Sequence, residues 1–154
     1  MNGSLVERFK IMRGPTLCET ALSGITALPA SAAFIDVSGY EFVHIIAHLG
    51  TVHASDTPTL TPKCSDAANG TADTIHADLV ATVAADDDGQ MLVWSIEVRK
   101  LPVDHHFVTL GFSGTLTNGS YCDVVFLLEN GSQPVSQVAA QVPKDQATAF
   151  NYLG

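Results

Sequence analysis

The chain has 154 residues, of which 46% are hydrophobic and only 15% charged, and its formal net charge at pH 7 is −9. This length predicts one domain, large enough to bury well over half of the surface that the unfolded chain exposes. The acidic balance argues against binding to nucleic acid or to an anionic membrane, because both require clustered lysine and arginine. We therefore expect the partners of this protein to be other proteins.

The first 30 residues predict an N-terminal arm, which is either extended or forms a first strand that leads into residues 33–37. The pattern of residues 5–12 predicts one short amphipathic turn or strand, which the following Gly-Pro pair ends. Three of the seven cationic residues lie in this arm: Arg8, Lys10 and Arg13. A basic arm on an acidic body suits contact with a separate acidic surface, although a solvated, frayed terminus fits the same composition. The arm lacks the apolar core of a signal peptide, so we expect synthesis in the cytoplasm without secretion.

Residues 31–132 predict an all-β core, a single antiparallel β-sandwich. Hydrophobic runs rich in β-branched and aromatic residues alternate there with clusters of Gly, Asn, Asp and Pro. The clearest strands are residues 42–49, 91–98, 106–113 and 121–128. The turns before the second and the fourth of these strands each predict a hairpin. On the strand over 91–98, Trp94 alternates in phase with Leu92 and Ile96, which indicates a core residue.

Two parts of the core are harder to assign. Pro58 and Pro62 argue against a central strand in residues 51–74, because proline cannot donate a ladder hydrogen bond. We expect a protruding loop there, with at most an edge strand over residues 59–64. Residues 75–84 predict either a strand or one short helix, between which periodicity does not decide.

The C-terminal segment, residues 133–154, predicts an extended tail. It is rich in Gln, Ala and Val, is punctuated by proline and ends in an aromatic pair, Phe150 and Tyr152. Disordered tails usually carry more charge and fewer apolar residues than this one. We therefore expect the tail to dock onto another surface.

No motif in the sequence predicts catalysis, a cofactor or a metal site. His44 and His48 share one face of a predicted strand but lie about 13 Å apart, too far for one metal ion. Three aspartates, Asp86 to Asp88, precede Gly89, which favours a turn; a weak cation site is the alternative. Neither a nucleophile motif nor a glycine-rich phosphate loop is present. We predict that the protein is not an enzyme.

The three cysteines, Cys18, Cys64 and Cys122, are widely spaced and odd in number. No pair has the spacing of a zinc ligand set, and three is a poor count for a disulfide framework. Buried, reduced thiols are the expected state.

Two segments have distinctive strand patterns: IDVSGYEFVHIIAHLGTV, residues 35–52, and VWSIEVRKLPVDHHFVTLGFSGT, residues 93–115. They resemble strand patterns of the small head decoration, or cement, proteins of tailed bacteriophages. The resemblance implies a jelly-roll-like β-sandwich without catalytic residues, on the capsid surface of a virion. It also implies that the protein binds and stabilises the shell of major capsid protein at capsomer junctions as a homo-oligomer, with a trimer favoured. Residues 51–74 depart from the pattern.

On this interpretation the two arms make the contacts with the shell. Arg8, Lys10 and Arg13 would face acidic capsid surface, and Phe150 and Tyr152 would act as end anchors. Two other functions stay open from the residues alone. One is a different virion component, in the tail or connector; the other is an exterior β-sandwich that binds a carbohydrate or receptor.

Overall fold

The computed structural model describes residues 9–13, 20–116 and 119–130. Two antiparallel β-sheets pack against each other, which confirms the predicted all-β sandwich. The strands are β1 Phe9–Arg13, β2 Thr20–Ala21, β3 Ala27–Leu28, β4 Ile35–Asp36, β5 Phe42–Leu49, β6 Thr57–Ser65, β7 Asp73–Thr74, β8 Ala81–Thr82, β9 Met91–Glu97, β10 Phe107–Thr115 and β11 Tyr121–Glu129. Three 3₁₀ turns, Ala77–Leu79, Ala85–Asp87 and Val98–Lys100, connect them. Within these ranges no helix is long and apolar enough to cross a membrane.

The two sheets draw on strands from along the whole described chain. The first sheet has the order β1–β11–β5–β9, with β2 also paired to β11. The second has the order β3–β10–β6–β7, with β4 also on β10 and β8 also on β6. Both predicted hairpins are therefore wrong, because β8 and β9 lie in different sheets, as do β10 and β11. A turn-forming sequence reverses the chain equally well between two sheets and within one, so turn composition alone does not predict pairing.

The core lies between the sheets and follows the period of two that the strands impose. Strand β5 spans the residues predicted for it, and its inward side chains Val43, Ile45, Ala47 and Leu49 are fully buried. The opposite strand face carries polar and half-buried residues, so alternation alone sets which side packs inward. Trp94 of β9 is buried as predicted, and its indole Nε1–H donates to the Leu79 carbonyl at 2.7 Å.

Strand β6 corrects the prediction of a protruding loop over residues 51–74. Its nine residues lie between β10 on one side and β7 and β8 on the other, although they include Pro58 and Pro62. The carbonyls of both prolines accept bonds from the β7 and β8 side, from Val83 N–H at 2.9 Å and Ile75 N–H at 3.1 Å. Because N–H and C=O of one residue point the same way in an antiparallel strand, both missing donors face that interrupted flank. The ladder to β10 is unaffected.

Of the predicted N-terminal arm over 1–30, the structure describes residues 9–13 and 20–30. Strand β1 pairs with β11 along its full length, and Leu22 and Leu28 are buried in the core. The predicted boundary at residue 30 thus does not separate an arm from the sandwich. Residues 75–84, left open as strand or helix, contain the first 3₁₀ turn and the two-residue strand β8.

Candidate interaction surface

The outward side chains of β5, β9 and β11 form one continuous surface, which we call the outer face. Strand register places Ile46 of β5 between Val93 of β9 and Val125 of β11, and it places His44 between Ser95 and Leu127. The members of the outer face are Phe42, His44, Ile46, His48, Met91, Val93, Ser95, Glu97, Tyr121, Asp123, Val125, Leu127 and Glu129. Its middle is apolar and its two ends carry the charged and polar groups.

Exposure of apolar side chains is concentrated at the β9 side of this surface. Met91 and Val93 are 60% and 58% exposed, and Val80, next to the Leu79 that accepts the Trp94 bond, is 41% exposed. The other large exposed apolar residues in the described ranges are Val103 and Tyr121. An apolar patch at one edge of a sheet is typical of a protein-binding surface.

A hydrogen-bonded network crosses three strands of the outer face. The His44 ring bonds Ser95 Oγ through Nδ1 at 2.9 Å and Glu129 Oε2 through Nε2 at 3.0 Å. The His44 and Glu129 side chains are only 21% and 15% exposed. Phe42 stacks on the His44 ring, with 6.2 Å between ring centroids. Ser95 lies directly opposite His44 and Glu129 lies diagonally from it, both within reach of a cross-strand pair, so the network ties β9, β5 and β11 together.

Serine, histidine and glutamate in this order raise the question of nucleophilic catalysis. Acyl transfer also requires N–H donors aimed at the oxygen that becomes negatively charged, about 3 Å from the reacting carbon. Ser95 lies in the middle of an extended strand, where backbone N–H groups point along the sheet and not out of its face. Its hydroxyl projects from that face beside Val93 and Glu97. The geometry supports a structural role for the network.

An ionic cluster lies at the end of the outer face. Glu97 accepts hydrogen bonds from Arg99 Nε and, at 2.9 Å, from Lys100 Nζ. The Lys100 and Arg99 bonds lower the pKa of the Glu97 carboxyl below its usual value. Glu97 and Arg99 also line a shallow open pocket together with Tyr40, Glu41 and Phe42. Two aromatic rings, Tyr40 and Phe42, therefore lie in this pocket beside the carboxylates Glu41 and Glu97 and the Arg99 guanidinium.

The backbone of β9 has one side that pairs with β5 and one that faces outward. The Leu49 N–H donates to the Gln90 carbonyl and the Val98 N–H donates to the Glu41 carbonyl, both at 2.8 Å. Backbone groups alternate along an antiparallel strand, so even-numbered residues of β9 bond to β5. The N–H and C=O groups of Met91, Val93, Ser95 and Glu97 therefore point away from the sheet. No other strand of the described ranges pairs on that side.

The structure places the predicted contact residues only in part. Lys10 and Arg13 lie in β1, paired in register with Leu128 and Val125 at the opposite margin of the first sheet. Arg8, Phe150 and Tyr152 lie outside the described residues, as does Cys18. The predicted arm contacts therefore remain a prediction.

The predicted histidine and aspartate features are placed more fully. His44 and His48 lie on the same face of β5, as predicted. Across the described ranges, no group of three His, Cys, Asp or Glu side chains could hold a metal ion. The aspartate run forms a turn: Asp87 accepts the Ala84 N–H at 2.8 Å, and Asp88 accepts the Val52 N–H at 2.5 Å. These carboxylates bind backbone donors of their own chain.

Cys64 and Cys122 are buried free thiols, one in each sheet. Burial raises the pKa of the Cys64 thiol to about 11 and that of Cys122 to about 12, with smaller contributions from Asp73 and Asp123. A thiol with so high a pKa is a poor nucleophile at neutral pH. Both cysteines therefore serve as core residues.

Sequence reasoning did not find the outward edge of β9 or the His44 network. The strand pattern shows that Met91 and Val93 share a face, but which strands are neighbours depends on the pairing of distant segments. The sequence offered one signal of an unprotected edge, the absence of proline and lysine from residues 91 to 97. Edge strands usually carry such residues, which prevent pairing with another strand. No family model matches the chain, and neither the curated proteins nor the solved structures include a match to it.

Proposed function

We propose that this protein is a structural β-sandwich that works by binding other protein subunits, and that its partner is the shell of a bacteriophage head. The observation that carries the binding role is the outer face of the first sheet, with Met91 and Val93 more than half exposed. Only 15% of the residues are charged, which leaves a weakly polar surface suited to burial against protein. The phage shell as partner rests on the resemblance of residues 35–52 and 93–115 to decoration proteins.

The physical role of such a protein is to add buried area where shell subunits meet. A rigid sandwich transmits load between the subunits that it contacts, because a close-packed core has low compressibility. The fully buried side chains of β5 and β11, among them Phe126, provide that rigidity here. Basic residues near the N-terminus would face acidic shell surface, and the aromatic pair Phe150 and Tyr152 would anchor the tail.

Co-sedimentation tests this function. The full-length chain is mixed with shells assembled from the major capsid protein of a phage that encodes it, and bound protein is measured after centrifugation. We expect saturable binding, and we expect it to be weakened at least about tenfold in a variant that combines F150A with Y152A. The variant V103A is the matched control, since Val103 is exposed in a turn of the sandwich. Full binding by the tail variant would remove the anchor role, and no binding by the parent chain would overturn the shell as partner.

A further inference from the structure

Strand β9 is an edge strand without the protection that natural sheet edges usually carry. Protective devices include proline, lysine, bulges and very short strands. The seven residues of β9, MLVWSIE, contain no proline and no lysine, and each residue from Met91 to Glu97 has a partner on β5 in unbroken register from His48 to Phe42. Glu97 completes the register opposite Phe42. An edge of this kind is a template for pairing with another strand.

The outward backbone groups of β9 define which pairings are possible. They belong to Met91, Val93, Ser95 and Glu97, and their side chains all lie on the outer face. Suppose that a second copy pairs antiparallel about a two-fold axis perpendicular to the sheet. Residues that face the core in one copy must then lie opposite residues that face the core in the other. An axis through Trp94 satisfies this condition, because it sets Val93 opposite Ser95 of the other copy and Met91 opposite Glu97.

Charge favours the same arrangement. Asp87 and Asp88 precede β9, whereas Arg99 and Lys100 follow it. In the antiparallel pair, the acidic turn of each copy comes beside the basic turn of the other. Lys100 and Arg99 are 75% and 80% exposed, so solvent and a partner can reach both. The strand pair therefore has opposite charges at both of its ends and no like charges directly opposite each other within it.

Apolar side chains flank the same edge. Met91 and Val93 are 60% and 58% exposed on the outer face, and the pairing would place outer-face side chains of the other copy beside them. Protein interfaces usually have apolar side chains at their centre and charged side chains at their rim, and the paired β9 strands would have the same arrangement. No other edge described in this molecule combines a long strand with exposed valine and methionine.

We propose that two copies of this chain associate through their β9 strands, antiparallel and about a two-fold axis at Trp94, so that their first sheets form one continuous sheet. The association is independent of the shell proposed above and would form in the purified protein. It gives a dimer, whereas the resemblance to decoration proteins favoured a trimer. The outer faces of both copies then lie on the same side of the combined sheet.

Sedimentation velocity on the purified full-length chain, over a wide range of concentrations, tests the proposal. We expect a monomer–dimer equilibrium whose dissociation constant rises at least about tenfold in V93E, because each new carboxylate lies beside Glu97 of the other copy. The variant V103E is the matched control: it exchanges another exposed valine for glutamate in a turn, and we expect it to dimerise as the parent does. The variant K100E should also weaken the dimer, by a smaller factor.

Amide hydrogen exchange gives a second measurement that needs no variant. In the dimer, the amides of Val93 and Ser95 should become protected as concentration rises, whereas those of Leu92 and Trp94 should be protected at every concentration. A monomer at all concentrations, a trimer, or a dimer that V93E leaves intact would each overturn the proposal. A dimer that is lost on deletion of residues 133–154 but kept in V93E would assign the contact to the tail instead.

Discussion

The two sheets of this sandwich end differently. The second sheet ends beside β6 in two strands of two residues each, β7 and β8, and the prolines of β6 turn their missing donors toward that flank. The first sheet ends in β9, which is seven residues long and has exposed Met91 and Val93. Short strands and proline prevent further pairing, whereas a long regular strand permits it. Local chemistry closes one flank, whereas on the other no strand of the described residues pairs with β9.

Proline substitutions in β9 should have the largest effect on stability, and the effect should differ between the paired and the outward side of the strand. At Leu92 the backbone N–H bonds to β5, so L92P should lower the free energy of unfolding by about 3 kcal/mol or more. At Val93 the N–H points outward, so V93P should cost about 1 kcal/mol or less, as proline is tolerated on the open side of an edge strand. Urea unfolding at concentrations below dimer formation measures both variants. Equal losses would show that the Val93 N–H has a partner within the monomer.

Trp94 links β9 to the segment that leads into β8, so it tests how the open flank is supported. The variant W94F keeps an aromatic core residue but removes the donor to the Leu79 carbonyl, which should cost about 1–3 kcal/mol. Thermal unfolding measures the loss, and faster amide exchange over residues 77–80 should accompany it. The variant Y121F is the control, because Tyr121 is 36% exposed and lies on the outer face. Unchanged stability in W94F would mean that water replaces the indole at no cost.

The buried faces of the two sheets should be equally protected from solvent. The cysteine in each sheet reports this protection. The pKa of Cys64 is about 11 and that of Cys122 about 12, both raised from 9.0 by burial. The folded protein therefore retains thiol protons that the unfolded chain releases, and this stabilisation is complete below pH 9 and lost as pH rises toward 11 and 12.

Thiol titration with an aromatic disulfide reagent tests the cysteine prediction in a C18S background. In the native protein near neutral pH neither thiol should react, and in denaturant both should react at once. Free energies of unfolding measured at rising pH should fall above the pKa of the unfolded thiol. Rapid reaction of one thiol in the native state would show that its sheet opens locally.

The ionic cluster at the end of β9 should have the smallest effect on the isolated fold. Glu97 has a lowered pKa because Lys100 and Arg99 donate to it, so its stabilisation is present above the usual glutamate pKa and is lost as pH falls through the lowered value. Arg99 and Lys100 are mostly exposed, so E97Q should change the free energy of unfolding less than any of the variants above. Urea unfolding on either side of the usual glutamate pKa measures it. A larger loss would indicate a role for Glu97 beyond these exposed pairs.

Sequence reasoning predicted those features that depend on local alternation. The bounds of β5, the inward position of Trp94, the shared face of His44 and His48 and the aspartate turn all follow from side-chain period and turn chemistry. The same reasoning was wrong about β6, because Pro58 and Pro62 indicate an interrupted strand as long as the neighbouring strands are unknown. Whether a proline disrupts a ladder depends on which side its nitrogen faces.

The amino-acid sequence by itself determined that this protein is an all-β sandwich with an acidic, weakly charged surface, because period and composition act within a few residues. Tertiary structure alone decided that β10 and β11 separate into different sheets, that His44 bonds Ser95 and Glu129, and that β9 lies at an open edge. Each of these depends on which distant strands become neighbours. That choice is made by burial of both inner faces together, which no local window of sequence contains.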